Sequence, residues 1–226
     1  MSESNQGLPP LTSHGVFTAS ASSTIDAPRD IAWQVLMDWA SYHEWCAAQA
    51  KPHCHDLTCF AGTLLCTYNI DSRLTLGMTP KPRRSRNQCL TDGSKQPLGA
   101  AQQTPRAGAH LLIHPVHIPP SFDPPAIFPA SSVFVIITAM DPDNYRCAWE
   151  TADYPLWLLH SVRWQMLTEV VEDGRKKTRY ESIEVFNGVL AYAIKYFVGS
   201  GLQQGFTAMA EGLKKRSEEL QERRQG

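Results

Sequence analysis

TRYESIEVFNGVLAYAIKYFVGSGLQQGFTAMAEGLKKRSEEL, residues 178–220, decides the fold. Thr178–Phe186 reads as a strand, Gly188 interrupts it, and a helix is expected from about Leu190 to Leu220. In that helix Ile194, Phe197, Val198, Leu202, Phe206, Met209 and Leu213 recur at steps of three and four, which places them on one face. The stripe is roughly 45 Å long at 1.5 Å per residue. A face of that length needs a broad concave cover, and a curved antiparallel sheet supplies one. Such a pairing can leave an apolar hole between helix and sheet.

Strand signals before this stretch supply the sheet. Ser161–Glu172 alternates, Asp173-Gly174 is a hairpin turn by composition, and Lys177–Val185 returns. Val133–Ala139 and Tyr145–Thr151 flank another turn, Asp141-Pro142-Asp143-Asn144. Val16–Ile25 is a first strand, and Ala27-Pro28 opens a short helix with Ile31, Val35, Leu36 and Trp39 as its buried stripe. Further strands are expected at Thr63–Ile70 and Leu74–Met78. The result is an α+β fold: a strand, short helices, a run of antiparallel strands and one long C-terminal helix, with the helices on one side of the sheet. Residues 1–15 read as a flexible arm and 16–226 as one domain. A Pro-rich insertion interrupts that domain at about 80–132. Pro80–Ser132 holds ten of the sixteen prolines, so it is expected to be irregular, a lid or a docking surface for a protein partner.

Bulk properties narrow the function. A 42% hydrophobic content suffices for a core, and a formal net charge of -1 gives no electrostatic case for nucleic acid. No apolar run approaches a membrane span, and Met1–Ser13 lacks the pattern of a secretory signal. Six cysteines without a CxxC pair suit reduced thiols, so a cytoplasmic location is expected. No glycine-rich phosphate loop is present, and no cofactor is expected.

Three sets of residues resemble the START-like (SRPBCC) superfamily, in particular its polyketide cyclase/dehydrase and coenzyme Q-binding-like branch. The first runs Ile25-Asp26-Ala27-Pro28, Trp33, Val35-Leu36, Asp38 and Ser41-Tyr42-His43-Glu44-Trp45. The second is Gly62-Thr63. The third is Asp173-Gly174, Thr178-Arg179 and Glu184-Val185-Phe186-Asn187-Gly188. His43 stands where the family usually has proline and Cys46 where it often has asparagine, and Pro80–Ser132 has no counterpart. The resemblance implies a helix-grip fold, about seven antiparallel strands curved around the long C-terminal helix, with an internal cavity for a lipid, polyketide, quinone or similar ligand. It also implies either simple carriage of that ligand, or its cyclisation, dehydration or isomerisation. A regulatory or co-chaperone-like binding module is the alternative. Fold alone does not choose among them.

Residues expected to line the cavity are Trp149 and Trp164 on strands, with Ile194, Phe197, Val198 and Leu202 on the helix. Each would serve equally as core filling. Acid–base candidates are His160 and Glu184, with Glu150 and Arg163 behind them. Alternation sets Arg163 opposite Trp164, so an inward Trp164 implies an outward Arg163. Cys46, His53, Cys54, His55 and Cys59 match no compact zinc pattern, and no metal is expected. His110, His114 and His117 lie among prolines that prevent regular helix geometry.

Overall fold

The computed structural model describes residues 15–39, 59–61, 64–66, 88–116 and 131–226. Its elements in chain order are β1 (Phe17–Ile25), α1 (Arg29–Met37), β2 (Cys59–Ala61), β3 (Leu64–Cys66), β4 (Gln88–Thr91), β5 (His110–Val116), β6 (Ser131–Asp141), β7 (Arg146–Thr151), β8 (His160–Glu172), β9 (Arg175–Asn187), α2 (Val189–Phe197) and α3 (Gly199–Gln225). Seven strands form one antiparallel sheet in the order β1-β9-β8-β7-β6-β5-β4, curved and unclosed. β2 and β3 form a separate two-stranded ladder. α3 packs against β1 and α1. This is the helix-grip arrangement, a curved antiparallel sheet set against a long C-terminal helix.

Local chemistry explains the topology. Asp173 and Gly174 both have positive φ, 54° and 72°, as a two-residue turn matched to strand twist requires. Register then runs from Glu172↔Arg175 to His160↔Asn187 without interruption. Register shifts interrupt the pairing between Ile113 and Val116 and between Ile137 and Ala139, irregularities of the kind that bend and twist a strand. β1 closes on β9, from Phe17↔Phe186 to Ile25↔Thr178, and so joins the first strand to the last.

Two departures from the sequence reading have physical causes. β4 and β5 lie inside Pro80–Ser132, where the proline density points to irregular chain. Leu90, Leu111 and Ile113 are buried there, in register from Leu90↔Leu111 outward. Gln103 holds this edge: its side-chain oxygen accepts from the Leu90 N–H at 2.8 Å, and its amide donates to the Leu90 and Leu98 carbonyls at 3.1 and 2.8 Å. A side chain thus takes a strand's place, and that substitution has no periodic signature. Second, the expected helix Leu190–Leu220 is two helices, with Val198 (φ −129°, ψ −4°) between them. A β-branched residue followed by Gly199 and Gly201 is a weak place to propagate a helix.

Other expectations lie outside the described residues: the 1–14 arm, the Ser41–Trp45 and Gly62-Thr63 motifs, and most of the Cys46–Cys59 group. The same holds for the chain from 67 through 87, including the Leu74–Met78 strand. Among the described residues no group of His, Cys, Asp and Glu could hold a metal ion. No described helix is long and apolar enough to cross a membrane.

Buried side chains separate into two apolar clusters. The larger gathers Ile25, Leu36, Leu90, Leu111, Ile137, Trp149 and Leu167 with Met209 and Leu213 of α3. The smaller gathers Ala19, Phe186, Ala191, Val198, Leu202 and Phe206. Full burial of a side chain such as Phe206 or Leu213 contributes roughly 1.5–3 kcal/mol.

Candidate functional site

The boundary between those clusters is polar. On β8 the residues of one face, Ser161, Arg163, Gln165 and Leu167, are all buried. On β9 the corresponding face carries Thr178, Tyr180, Ser182, Glu184 and Phe186, also buried. Antiparallel register sets Arg163 opposite Glu184 and Gln165 opposite Ser182. The same rows continue to Trp149 and Cys147 on β7, and to Ala19 and Ala21 on β1. A single row therefore reads Ala19, Glu184, Arg163, Trp149. Its ends belong to the two apolar clusters and its middle is a charge pair.

The groups in this band are connected. Arg163 is 1% exposed and Glu184 3% exposed. Arg163 Nη1 lies 4.0 Å from Glu184 Oε2, and its Nε–H donates to Ser182 Oγ at 3.3 Å. The Ser161 hydroxyl donates to Glu184 Oε1 at 2.8 Å. Tyr180 donates to Gln165 Oε1 at 2.6 Å, and Gln165 reaches Cys147 Sγ at 4.0 Å. From α3 the Phe206 ring covers the guanidinium at 4.2 Å, with the Trp149 ring on it at 5.7 Å. That contact is a cation–π arrangement in a desolvated setting. The Trp149 Nε1–H is buried and has no hydrogen-bond partner among the described residues.

Burial governs the titrating neighbours. It pushes the Cys147 thiol up to about 12, against the opposing effect of the Arg163 charge. It also raises the Tyr180 phenol above its ordinary 10, again opposed by Arg163. Both groups are neutral across the physiological range. The band thus holds one cation, one anion, two hydroxyls, an amide, a neutral phenol and a neutral thiol. Such a set can orient a polar end of a molecule by hydrogen bonds and charge, with apolar walls on either side.

The residues expected from sequence divide between this site and elsewhere. Trp149, Glu184, Val198 and Leu202 are buried in or beside the band, and Ile194 packs partly buried against the smaller cluster. Trp164 is buried, but on the opposite face from Arg163, reversing the expected phase of β8. Phe197 is 81% exposed, so it does not face the sheet. The helix breaks one residue later, at Val198, so the three-and-four period does not carry Phe197 onto the face that Leu202 and Phe206 bury. His160, half-buried, lies 3.2 Å from Glu150 and alternates away from Ser161. It is separate from Glu184. The sequence reading omits Ser161, Gln165, Ser182 and Phe206 as site residues and turns Arg163 outward. One signal for the charge pair does stand in the sequence: Arg163 and Glu184 are equally far, ten residues, from the two sides of the Asp173-Gly174 turn.

A second concavity is of another kind. A cleft of about 890 Å³ opens between the start of α1, the β8–β9 hairpin and the end of α3. Its charges pair among themselves: Arg175 with Asp26 at 3.3 Å, Lys176 with Glu169 at 2.9 Å, Lys177 with Glu172 at 3.5 Å. Exposed pairs of this sort contribute little and offer no apolar wall.

No family model matches the chain, and no curated protein matches it. Solved structures do. One is a hypothetical protein from Helicobacter pylori, 11% identical, covering 88% of this chain and 87% of that one with a TM-score of 0.48. Another is a point mutant of Thalictrum flavum norcoclaurine synthase in complex with a transition-state analogue, 11% identical over 90% and 94%, TM-score 0.47. A third, from Thermus thermophilus, is 9% identical over 88% and 96%, TM-score 0.45.

Proposed function

We propose that this protein binds a small, largely hydrophobic or aromatic molecule between the concave face of the sheet and α3, with the polar end of the ligand on the Arg163–Glu184 band. The observation that carries this reading is the interruption of an apolar core by a connected row of buried polar groups. Burying an ion pair is a poor way to stabilise a fold, because the desolvation cost offsets the attraction. Ligand sites, by contrast, combine apolar walls with a few placed polar groups. A lipid, polyketide or quinone meets that description.

The same pair sets the terms of any reaction. Cyclisation, dehydration and isomerisation each require a base at a carbon bearing an acidic proton and a donor at the adjacent oxygen. Glu184 and Arg163, 4.0 Å apart, are the residues of the band suited to those two roles. Native mass spectrometry of the purified protein, followed by extraction, is the first test. A hydrophobic molecule should co-purify, or bind from a panel of lipids, polyketides and quinones. Arg163→Met, which preserves length and bulk, should weaken that binding by about tenfold, as loss of a charge-assisted hydrogen bond does. The reading fails if no member of the panel binds the wild-type protein.

A further inference from the structure

Nine large hydrophobic side chains are strongly exposed among the described residues, and eight of them lie at one place. Tyr154, Leu156 and Trp157 belong to the β7–β8 connection. Val189, Leu190, Tyr192, Tyr196 and Phe197 belong to α2. Two backbone hydrogen bonds clamp the segments together: Val189 N–H to the Trp157 carbonyl at 3.1 Å and Leu190 N–H to the Leu158 carbonyl at 2.9 Å. The connection is itself turned by bonds from Leu158 and Leu159 to the Pro155 carbonyl, at 2.9 and 3.1 Å. The exposed side chains therefore sit on a fixed scaffold.

We infer that α2 and the 154–158 connection dock this protein on a phospholipid surface. Only Ala191 is buried on α2 and Ile194 half-buried, and these two make its seam with the smaller apolar cluster. Around the rest of the helix the side chains are apolar or aromatic, apart from Lys195. A protein partner covers one stripe of a helix. A helix apolar nearly all round calls for an apolar medium. The residue types fit the interfacial layer, because tryptophan and tyrosine carry an apolar body with a polar tip. Charge agrees as well. α2 contains no carboxylate, and Asp153, the one acid of the connection, is ion-paired with Lys95. Lys195 remains as a cation beside the aromatics, placed to meet phosphate while its stem lies along apolar surface.

Co-sedimentation of the full chain with phosphatidylcholine vesicles, alone or mixed with phosphatidylglycerol, tests the inference. Wild type should pellet with both and more strongly with the mixture. The Tyr196→Ser/Phe197→Ser double variant removes side chains 78% and 81% exposed, so its unfolding midpoint should not change. Its vesicle binding should fall by about tenfold or more, the factor expected when one large apolar side chain no longer leaves water. Lys195→Gln should cost about fivefold, and only on the anionic vesicles. The inference is overturned if wild type stays in the supernatant with both compositions, or if the double variant pellets as wild type does. It is overturned equally if sedimentation velocity without vesicles shows self-association that the double variant abolishes while neither protein binds lipid.

Discussion

β8 and α2 are inversions of each other. On β8 an arginine is 1% exposed, whereas on α2 a phenylalanine is 81% exposed. Each breaks the rule that apolar groups leave water and charges keep it. Between them lies the smaller apolar cluster, which touches both: Phe206 covers Arg163 from one side, and Ala191 and Ile194 anchor α2 on the other. Stability does not select either feature, since a buried pair gains little and an exposed ring gains nothing. Two such exceptions against one cluster set the proposed ligand band and the proposed docking surface at the same end of the molecule. Polar groups lie in its interior and apolar groups on its surface.

The largest effect should come from breaking the interior half of that comparison. Arg163→Ala leaves Glu184 buried without its cation and should cost about 3–5 kcal/mol in urea unfolding. Replacing both, as Arg163→Met/Glu184→Leu, removes the uncompensated charge. That double variant should regain most of the loss or exceed wild type by about 1–4 kcal/mol. A double variant as unstable as the single one would show that the pair is structural, and would remove the contrast with α2.

Alkaline pH probes the same band without mutation. Burial holds the Cys147 thiol at about 12 against an ordinary 9.0. The folded state therefore keeps a proton that the unfolded state releases. The contribution is fully present below about pH 9, where both states are protonated. It is lost as pH rises from there through about 12, because stability falls with pH wherever the folded state binds more protons. Tyr180, raised for the same reason, acts in the same direction. Unfolding midpoints measured upward from neutrality should decline over that window, and Cys147→Ala should decline less steeply. In the native protein Cys147 should also resist a thiol reagent that labels the urea-unfolded chain, since the thiolate is the reactive form.

How legible this arrangement is in the sequence differs between its halves. The β8–β9 hairpin, its Asp173-Gly174 turn and the stripe Leu202, Phe206, Met209, Leu213 carry local signals, and the structure has all of them. The phase of β8 is not legible from composition. Val162, Trp164 and Met166 make as plausible an inward set as Ser161, Arg163, Gln165 and Leu167. What decides is register with β9, a property of two segments, and it sets Glu184 against Arg163. β4 and β5 are hidden because prolines at 97, 105 and 115 mask short apolar runs whose edge is held by Gln103. The exposure of Phe197 is hidden by the smooth continuation of the three-and-four period across Val198. A period cannot show that the helix breaks.

The smallest of these effects bears on the joint between the two halves. Gly188 has φ 92° and ψ 176°, a conformation essentially confined to glycine. A Cβ there would stand 2.7 Å from the Leu158 carbonyl oxygen, a backbone atom that cannot swing aside. That close approach lets α2 start directly against the 154–158 connection, and so fixes the exposed aromatics as one surface. Gly188→Ala should cost of order 1–3 kcal/mol. Its distinguishing mark should be local. Amide exchange at Val189 and Leu190, whose N–H groups are held by Trp157 and Leu158, should accelerate well beyond the change in global stability. Exchange at Arg163 and Glu184, paired within the hairpin, should follow the global change alone. Equal acceleration at both places would mean that band and surface open as one unit, and the two regions could no longer be treated as separate devices.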